Sequence, residues 1–128
     1  MNKRKVLIVD DEEDFLKIIK LNLEEAGKFE VMTLSNAKKL ISQLHSFKPE
    51  VILLDLLMPG VGGLEICDML NNDPMGQGLP IIILSALDKD SDKLAAYKKG
   101  VVDYLVKPIE KDTLISKIEN ALEKRGHT

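Results

Sequence analysis

Cysteine is almost absent from this chain. Cys67 is the only one, so no intrachain disulfide can form. It lies among Leu64, Ile66 and Leu70, a setting that predicts a small core residue and not a reactive thiol. A basic excess is also missing: 18 Lys and Arg stand against 21 Asp and Glu, a net charge of -3. Phosphate backbones are held by clustered Lys and Arg, so direct nucleic-acid binding through a basic face is excluded. Long apolar runs are lacking too. The N-terminus MNKRKVLIVDDE has a short apolar stretch before two aspartates, too short for a signal peptide or a membrane span. A cytoplasmic protein without membrane attachment is expected. His45 has no second His, Cys or carboxylate at ligand spacing and is expected to face solvent. No repeat, low-complexity segment or linker interrupts the chain. What remains is one domain over residues 1–128, with 45% hydrophobic and 30% charged residues. That length buries a full core without disulfides or a structural metal.

Residues 51–65, VILLDLLMPGVGGLE, organise the rest. Val51 to Leu54 read as a strand buried on both faces, stopped by Asp55 and followed by Pro59-Gly60. Residues 5–9 and 79–84 are equally apolar and predict two more central strands. Residues 29–34 and 101–106 are mixed in pattern and predict edge strands. Helices fall between them. The first carries Phe15, Ile18, Ile19, Leu23 and Ala26 on its apolar face and stops at Gly27. The second has Ser35 as its cap and Ala37, Leu40, Ile41 and Leu44 as its face. The third runs from Gly63 through Leu70, and Asp73-Pro74 ends it. The fourth starts among Asp88, Asp90 and Ser91 and ends at Gly100 with a left-handed cap. The fifth presents Leu114, Ile115, Ile118, Ala121 and Leu122, and the tail RGHT is expected to fray. Five alternating units call for an α/β fold: a doubly wound, five-stranded parallel sheet in the flavodoxin-like order 2-1-3-4-5.

In that order the topological switch point lies between the first and third strands. Asp10, Asp11 and Asp55 meet there, at the carboxyl ends of the strands. Ser85 and Lys107 end the fourth and fifth strands on the same rim. Taken alone, Asp55 could end a strand or cap a helix, and the acidic cluster could serve the first helix dipole. Convergence from four distant segments favours a site. Three crowded carboxylates repel, by roughly 4 kcal/mol for two unit charges at about 4 Å and an effective dielectric near 20. Lys107 and a divalent cation balance them, and Mg²⁺ fits a small site of few carboxylates. A phosphoryl group gives the cluster a purpose, with Asp55 as nucleophile and Lys107 and the Ser85 hydroxyl on its oxygens.

These residues carry a resemblance. IVDDE at 8–12, LLDLLMPG at 53–60, ILSA at 83–86 and GVVDYLVKP at 100–108, in that order on this pattern, resemble a two-component response-regulator receiver domain of the chemotaxis-regulator type. The resemblance covers essentially the whole chain. It implies that Asp55 accepts phosphate from a sensor histidine kinase or a histidine phosphotransfer protein. It implies Mg²⁺ held by Asp10, Asp11, Asp55 and the Leu57 backbone carbonyl. Ser85 and Tyr104 match the switch pair, Lys107 the phosphate-binding lysine. The Lys107-Pro108 bond is expected to be cis. The expected output is a change in the face built from the fourth helix, fifth strand and fifth helix, used for partners or a phosphorylation-dependent homodimer. Such a protein catalyses only its own phosphorylation and dephosphorylation, and so is not an enzyme toward outside substrates.

The chain departs from the family in places. Gly62-Gly63 stands where Asp-Gly is common, which removes a helix cap and predicts a looser loop over 59–63. Val101 replaces a small residue. Leu57 and Leu87, each two residues past a site residue, offer attacking water no hydrogen-bond partner, so a long-lived phosphorylated state is expected. Three other functions fit parts of the pattern. A phosphatase with an Asp nucleophile favours Asp-x-Asp after the first strand, but here the pair is adjacent. A flavin carrier needs a phosphate-cradling first loop, but this one is acidic. A receiver-like module that is never phosphorylated is the third. A stand-alone regulator and one domain of a longer protein are both compatible with the sequence.

Overall fold

The computed structural model describes residues 2–126. Its elements alternate in chain order: β1 (Arg4–Val9), α1 (Glu13–Glu25), β2 (Phe29–Leu34), α2 (Leu40–Phe47), β3 (Val51–Leu54), α3 (Gly63–Asn71), β4 (Ile81–Ser85), α4 (Asp90–Lys98), β5 (Asp103–Val106) and α5 (Lys111–Gly126). The strands form one sheet in the order β2-β1-β3-β4-β5, every neighbouring pair parallel. The apolar runs take the centre because both of their faces are covered.

Alternation along those strands divides the interior in two. Val6, Ile8, Val51, Leu53, Ile82 and Leu84 pack with Leu16, Ile19 and Leu23 of α1 and Leu114 and Ile118 of α5. Leu7, Val9, Ile52, Leu54, Ile81 and Ile83 pack with α2, α3 and Ala96 of α4. Each fully buried Leu or Ile contributes roughly 1.5–3 kcal/mol relative to an exposed one. Cys67 is part of the second cluster, and burial pushes its thiol up to about 11, so it stays protonated and inert.

Register places the site. Val9 pairs with Leu54, so Asp10 and Asp55, each the next residue, leave the sheet side by side. Ser85 pairs with Val106, and Lys107 follows. Gly63 is needed at the start of α3, because a Cβ there would lie 2.5 Å from Leu56 Cα and 2.6 Å from the Asp55 carbonyl oxygen. Gly62 is the N-cap of α3 and offers no side-chain bond, as its sequence implies.

Several expectations need correcting. Ser35 caps nothing: α2 begins at Leu40 behind Lys39, and residues 35–39 form a bend in which Asn36 Oδ1 accepts from the Lys38 amide. Ile18 does not face the core; it is 60% exposed, and Leu16 holds the inward position. The two lie at different angles on the helix, and the adjacent apolar pairs of FLKII at 15–19 do not say which side turns in. The fourth strand starts at Ile81, two residues later than predicted, and includes Ser85; the fifth starts at Asp103. Pro80 stands immediately before Ile81, and Gly100, with a φ of 94°, lies three residues before Asp103. Lys89 precedes α4 as its N-cap, without a side-chain bond. His45 is exposed, as expected, but a carboxylate does stand beside it: its Nε2 lies 3.0 Å from Asp73 Oδ2. Arg125 and Gly126 continue α5, while the last two residues of the RGHT tail lie outside the described residues.

Candidate functional site

At the carboxyl edge of β1 and β3 the backbone fixes two carboxylates. The Asp55 amide donates to the Val9 carbonyl at 3.0 Å, and the Asp10 amide donates to the Leu34 carbonyl at 3.1 Å. Both side chains are buried, Asp10 to 1% and Asp55 to 5% exposure. Asp11 is exposed above them. One oxygen from each of the three can be chosen so that all lie within 4.8 Å of one another. That is a hard, all-oxygen donor set of the kind Mg²⁺ takes with few carboxylates and retained water. Leu57 lines the same cleft of about 420 Å³, together with Asp11, Glu12, Met58, Pro59, Ala86 and Lys107.

Lys107 joins these groups. Its amide donates to the Ser85 carbonyl at 2.8 Å, tying the end of β5 to that of β4. Its ammonium donates to Asp10 Oδ2 at 2.7 Å and lies 3.5 Å from both Asp55 Oδ2 and Glu12 Oε1. The Phe15 ring centroid is 4.2 Å away. The Lys107–Pro108 bond is cis, as the resemblance implies.

Burial and charge oppose each other here. Burial alone pulls the Lys107 ammonium toward neutrality. Its bond to Asp10 and the charges of Asp55, Asp10 and Glu12 more than reverse this, so it stays charged above the usual lysine range. Asp10 behaves differently. Burial raises its carboxyl, and Lys107 and the Glu12 amide pull it back only in part. Three carboxylates here face one lysine, an arrangement whose charge a further cation would balance.

The remaining bonds preset two oxygens. Asp55 Oδ1 accepts from the Leu57 amide at 3.1 Å, which leaves Oδ2 toward Lys107. Ser85 Oγ, fully buried, accepts from the Leu87 amide at 3.2 Å. Tyr104 is buried as well, and its hydroxyl donates to the Leu87 carbonyl at 2.6 Å. Burial is the chief reason its phenol is raised above the usual value. Leu87 thus has both backbone groups engaged, by Ser85 on one side and Tyr104 on the other. The Leu57 side chain is 63% exposed.

Asp10, Asp11, Asp55, Ser85 and Lys107 all fall at the predicted rim, with Tyr104 beneath the loop after β4. Glu12 and Phe15 contact Lys107 although the sequence assigned them to a helix dipole and a helix face. Residue type and local spacing carry no signal for contacts between Phe15 and a lysine just past the fifth strand.

Known proteins resemble this chain over most of its length. Residues 6–119 match the family model of the response regulator receiver domain. The chain is 32% identical over 124 residues to the alkaline phosphatase synthesis transcriptional regulatory protein PhoP of Bacillus subtilis, covering 97% of this chain and 50% of PhoP. The chain spans about half the length of the curated relatives it matches first. Among solved structures it resembles chemotaxis protein CheY4 of Vibrio cholerae, with a TM-score of 0.88 and 25% identity, covering 94% of this chain and 99% of that one. A two-component response regulator from Clostridium difficile superposes with a TM-score of 0.86 and 27% identity, covering 94% and 97%.

Proposed function

Because this chain belongs to the response regulator receiver domain family, we propose that Asp55 accepts a phosphoryl group from a phosphohistidine of a sensor histidine kinase or histidine phosphotransfer protein. The observation that carries this is the clustering of three carboxylates within 4.8 Å around a lysine that reaches two of them. Asp55 Oδ2, which faces Lys107 at 3.5 Å and takes no bond from the Leu57 amide, is the nucleophilic oxygen. It attacks phosphorus; the O–P bond forms as the P–N bond breaks, and the donor imidazole, protonated on its other ring nitrogen, takes the bonding pair and leaves neutral. Lys107 moves its ammonium from Asp10 and Asp55 onto a phosphoryl oxygen, which keeps a charge partner throughout. The Ser85 hydroxyl, which accepts from the Leu87 amide and also meets the Tyr104 hydroxyl, would turn its hydrogen to a second phosphoryl oxygen. Asp10, Asp11, Asp55 and the Leu57 carbonyl would hold Mg²⁺. Bound there, Mg²⁺ supplies neutralisation of charge on the phosphoryl oxygens and carboxylates.

Drawing Ser85 toward the phosphoryl group disturbs its bond with the Leu87 amide. The carbonyl of the same residue holds Tyr104, so the change passes to the α4–β5–α5 face. That face would then bind a partner or a second copy. The domain transforms no outside substrate and is not an enzyme in that sense, and it works in the cytoplasm. No helix among the described residues is long and apolar enough to cross a membrane.

Incubation with acetyl phosphate and Mg²⁺, followed by intact mass, tests the reading. One added phosphoryl group is expected on the parent and none on Asp55→Asn, and chelation should abolish addition. Steady hydrolysis of a generic phosphate ester without a stable adduct would instead indicate a phosphatase.

A further inference from the structure

The chain has only three phenylalanines. Phe29 and Phe47 are buried in the interior. Phe15 is placed differently. It lies in the first turn of α1, one helical turn before Ile19, and packs against the edge of the first core cluster while remaining partly exposed. Its ring centroid is 4.2 Å from Lys107 Nζ, within the range of a cation–π contact.

Such a contact bears on where the Lys107 ammonium rests. Its flexible stem carries an ammonium that meets carboxylates on more than one side. Asp10 and Asp55 are inner and buried, whereas the Glu12 side chain is 67% exposed and stands 3.5 Å away. Movement toward Glu12 would draw the ammonium outward, away from the position that faces the acceptor. An aromatic face has no acceptor lone pair and no charge of its own. It attracts the ammonium without competing for the proton donors that the phosphoryl group must receive. An aliphatic residue in the same place would fill space but offer no such attraction.

We propose that Phe15 is a positioning residue, whose ring holds the Lys107 ammonium on the inner carboxylates, ready for transfer to a phosphoryl oxygen. This rests on the phosphoacceptor reading for its function, but not for its geometry. The contact exists before any phosphate arrives.

The test uses the whole chain in two measurements. In the unphosphorylated parent, the ring current should shift the Lys107 side-chain protons nearest the ammonium upfield in the NMR spectrum. Phe15→Leu should abolish that shift, and Phe15→Tyr should keep it. With acetyl phosphate and Mg²⁺, Phe15→Leu should slow phosphoryl addition by roughly three- to tenfold, and Phe15→Tyr should restore it, as expected for a partly desolvated cation–π contact. An unshifted Lys107 in the parent overturns the proposal, and so does a Phe15→Leu rate equal to the parental one. Equal slowing in Phe15→Tyr also overturns it, because that would reflect shape and not the aromatic face. If Phe15→Leu does not fold, the parental spectrum and Phe15→Tyr still decide. A parent that takes no phosphoryl group defeats the phosphoacceptor reading, and the parental shift then decides the positioning claim by itself.

Discussion

Asp10 shows what the site asks of a single residue. It is buried, bonded to Lys107 at 2.7 Å, and close to Asp55 and Asp11. Burial raises its carboxyl more than Lys107 and the Glu12 amide lower it, so the buried negative charge on Asp10 is disfavoured without a further cation. Removing the charge should therefore relieve the metal-free protein. Asp10→Asn keeps the shape and is expected to raise unfolding free energy without metal by on the order of 1 kcal/mol, the usual scale of a single-site change. Saturating Mg²⁺ should then stabilise the parent more than the variant, because binding to the folded state adds stability. Denaturant titrations of both proteins, with Mg²⁺ and with chelator, check this. A variant less stable than the parent without metal, or equally stabilised by Mg²⁺, would count against a charge-crowded metal site. The residue types made this cluster legible in the sequence: an aspartate pair after the first strand, another aspartate after the third. The contacts of Lys107 with Glu12 and Phe15 were not legible, because they depend on how α1 is rotated against the sheet.

At the scale of elements, the loop between β4 and α4 joins chemistry to output. Leu87 is fixed there by its backbone, with the amide on Ser85 Oγ and the carbonyl on Tyr104. Its side chain can be changed without removing either bond. Leu87→Glu places a hydrogen-bond partner where attacking water now finds none, so the phosphorylated half-life should fall several-fold. Decay of the intact-mass adduct after removal of the donor measures it, and an unchanged or longer half-life would contradict the idea. Periodicity, apolar runs and helix start and stop signals together located every helix and strand. They misjudged ends and caps where backbone geometry decides. Ser35 looks like a cap, yet residues 35–39 bend before α2 starts, and Lys48 ends that helix at a φ of 55° that no pattern marks. On α1 the adjacent pairs Phe15-Leu16 and Ile18-Ile19 left the inward side undetermined, and Ile18 turned out exposed.

Across the whole molecule, strand order does most to create the site. β1 and β3 are neighbours only because the chain crosses over at the switch point, which sets Asp10 beside Asp55. β5, at the far edge, delivers Lys107 through its bond to the Ser85 carbonyl. The order could be read from apolarity: the three most apolar runs became the three inner strands. Central to the account is a covalent bond at one atom of this assembly, on the Asp55 carboxylate. The most direct measurement is to phosphorylate the protein with acetyl phosphate and Mg²⁺, reduce it with borohydride, and map the product by peptide mass spectrometry. Reduction turns an acyl phosphate on aspartate into homoserine. Homoserine at position 55 and at no other aspartate is the predicted result. An adduct that resists reduction, or homoserine at Asp10 or Asp11 with Asp55 intact, would contradict the account.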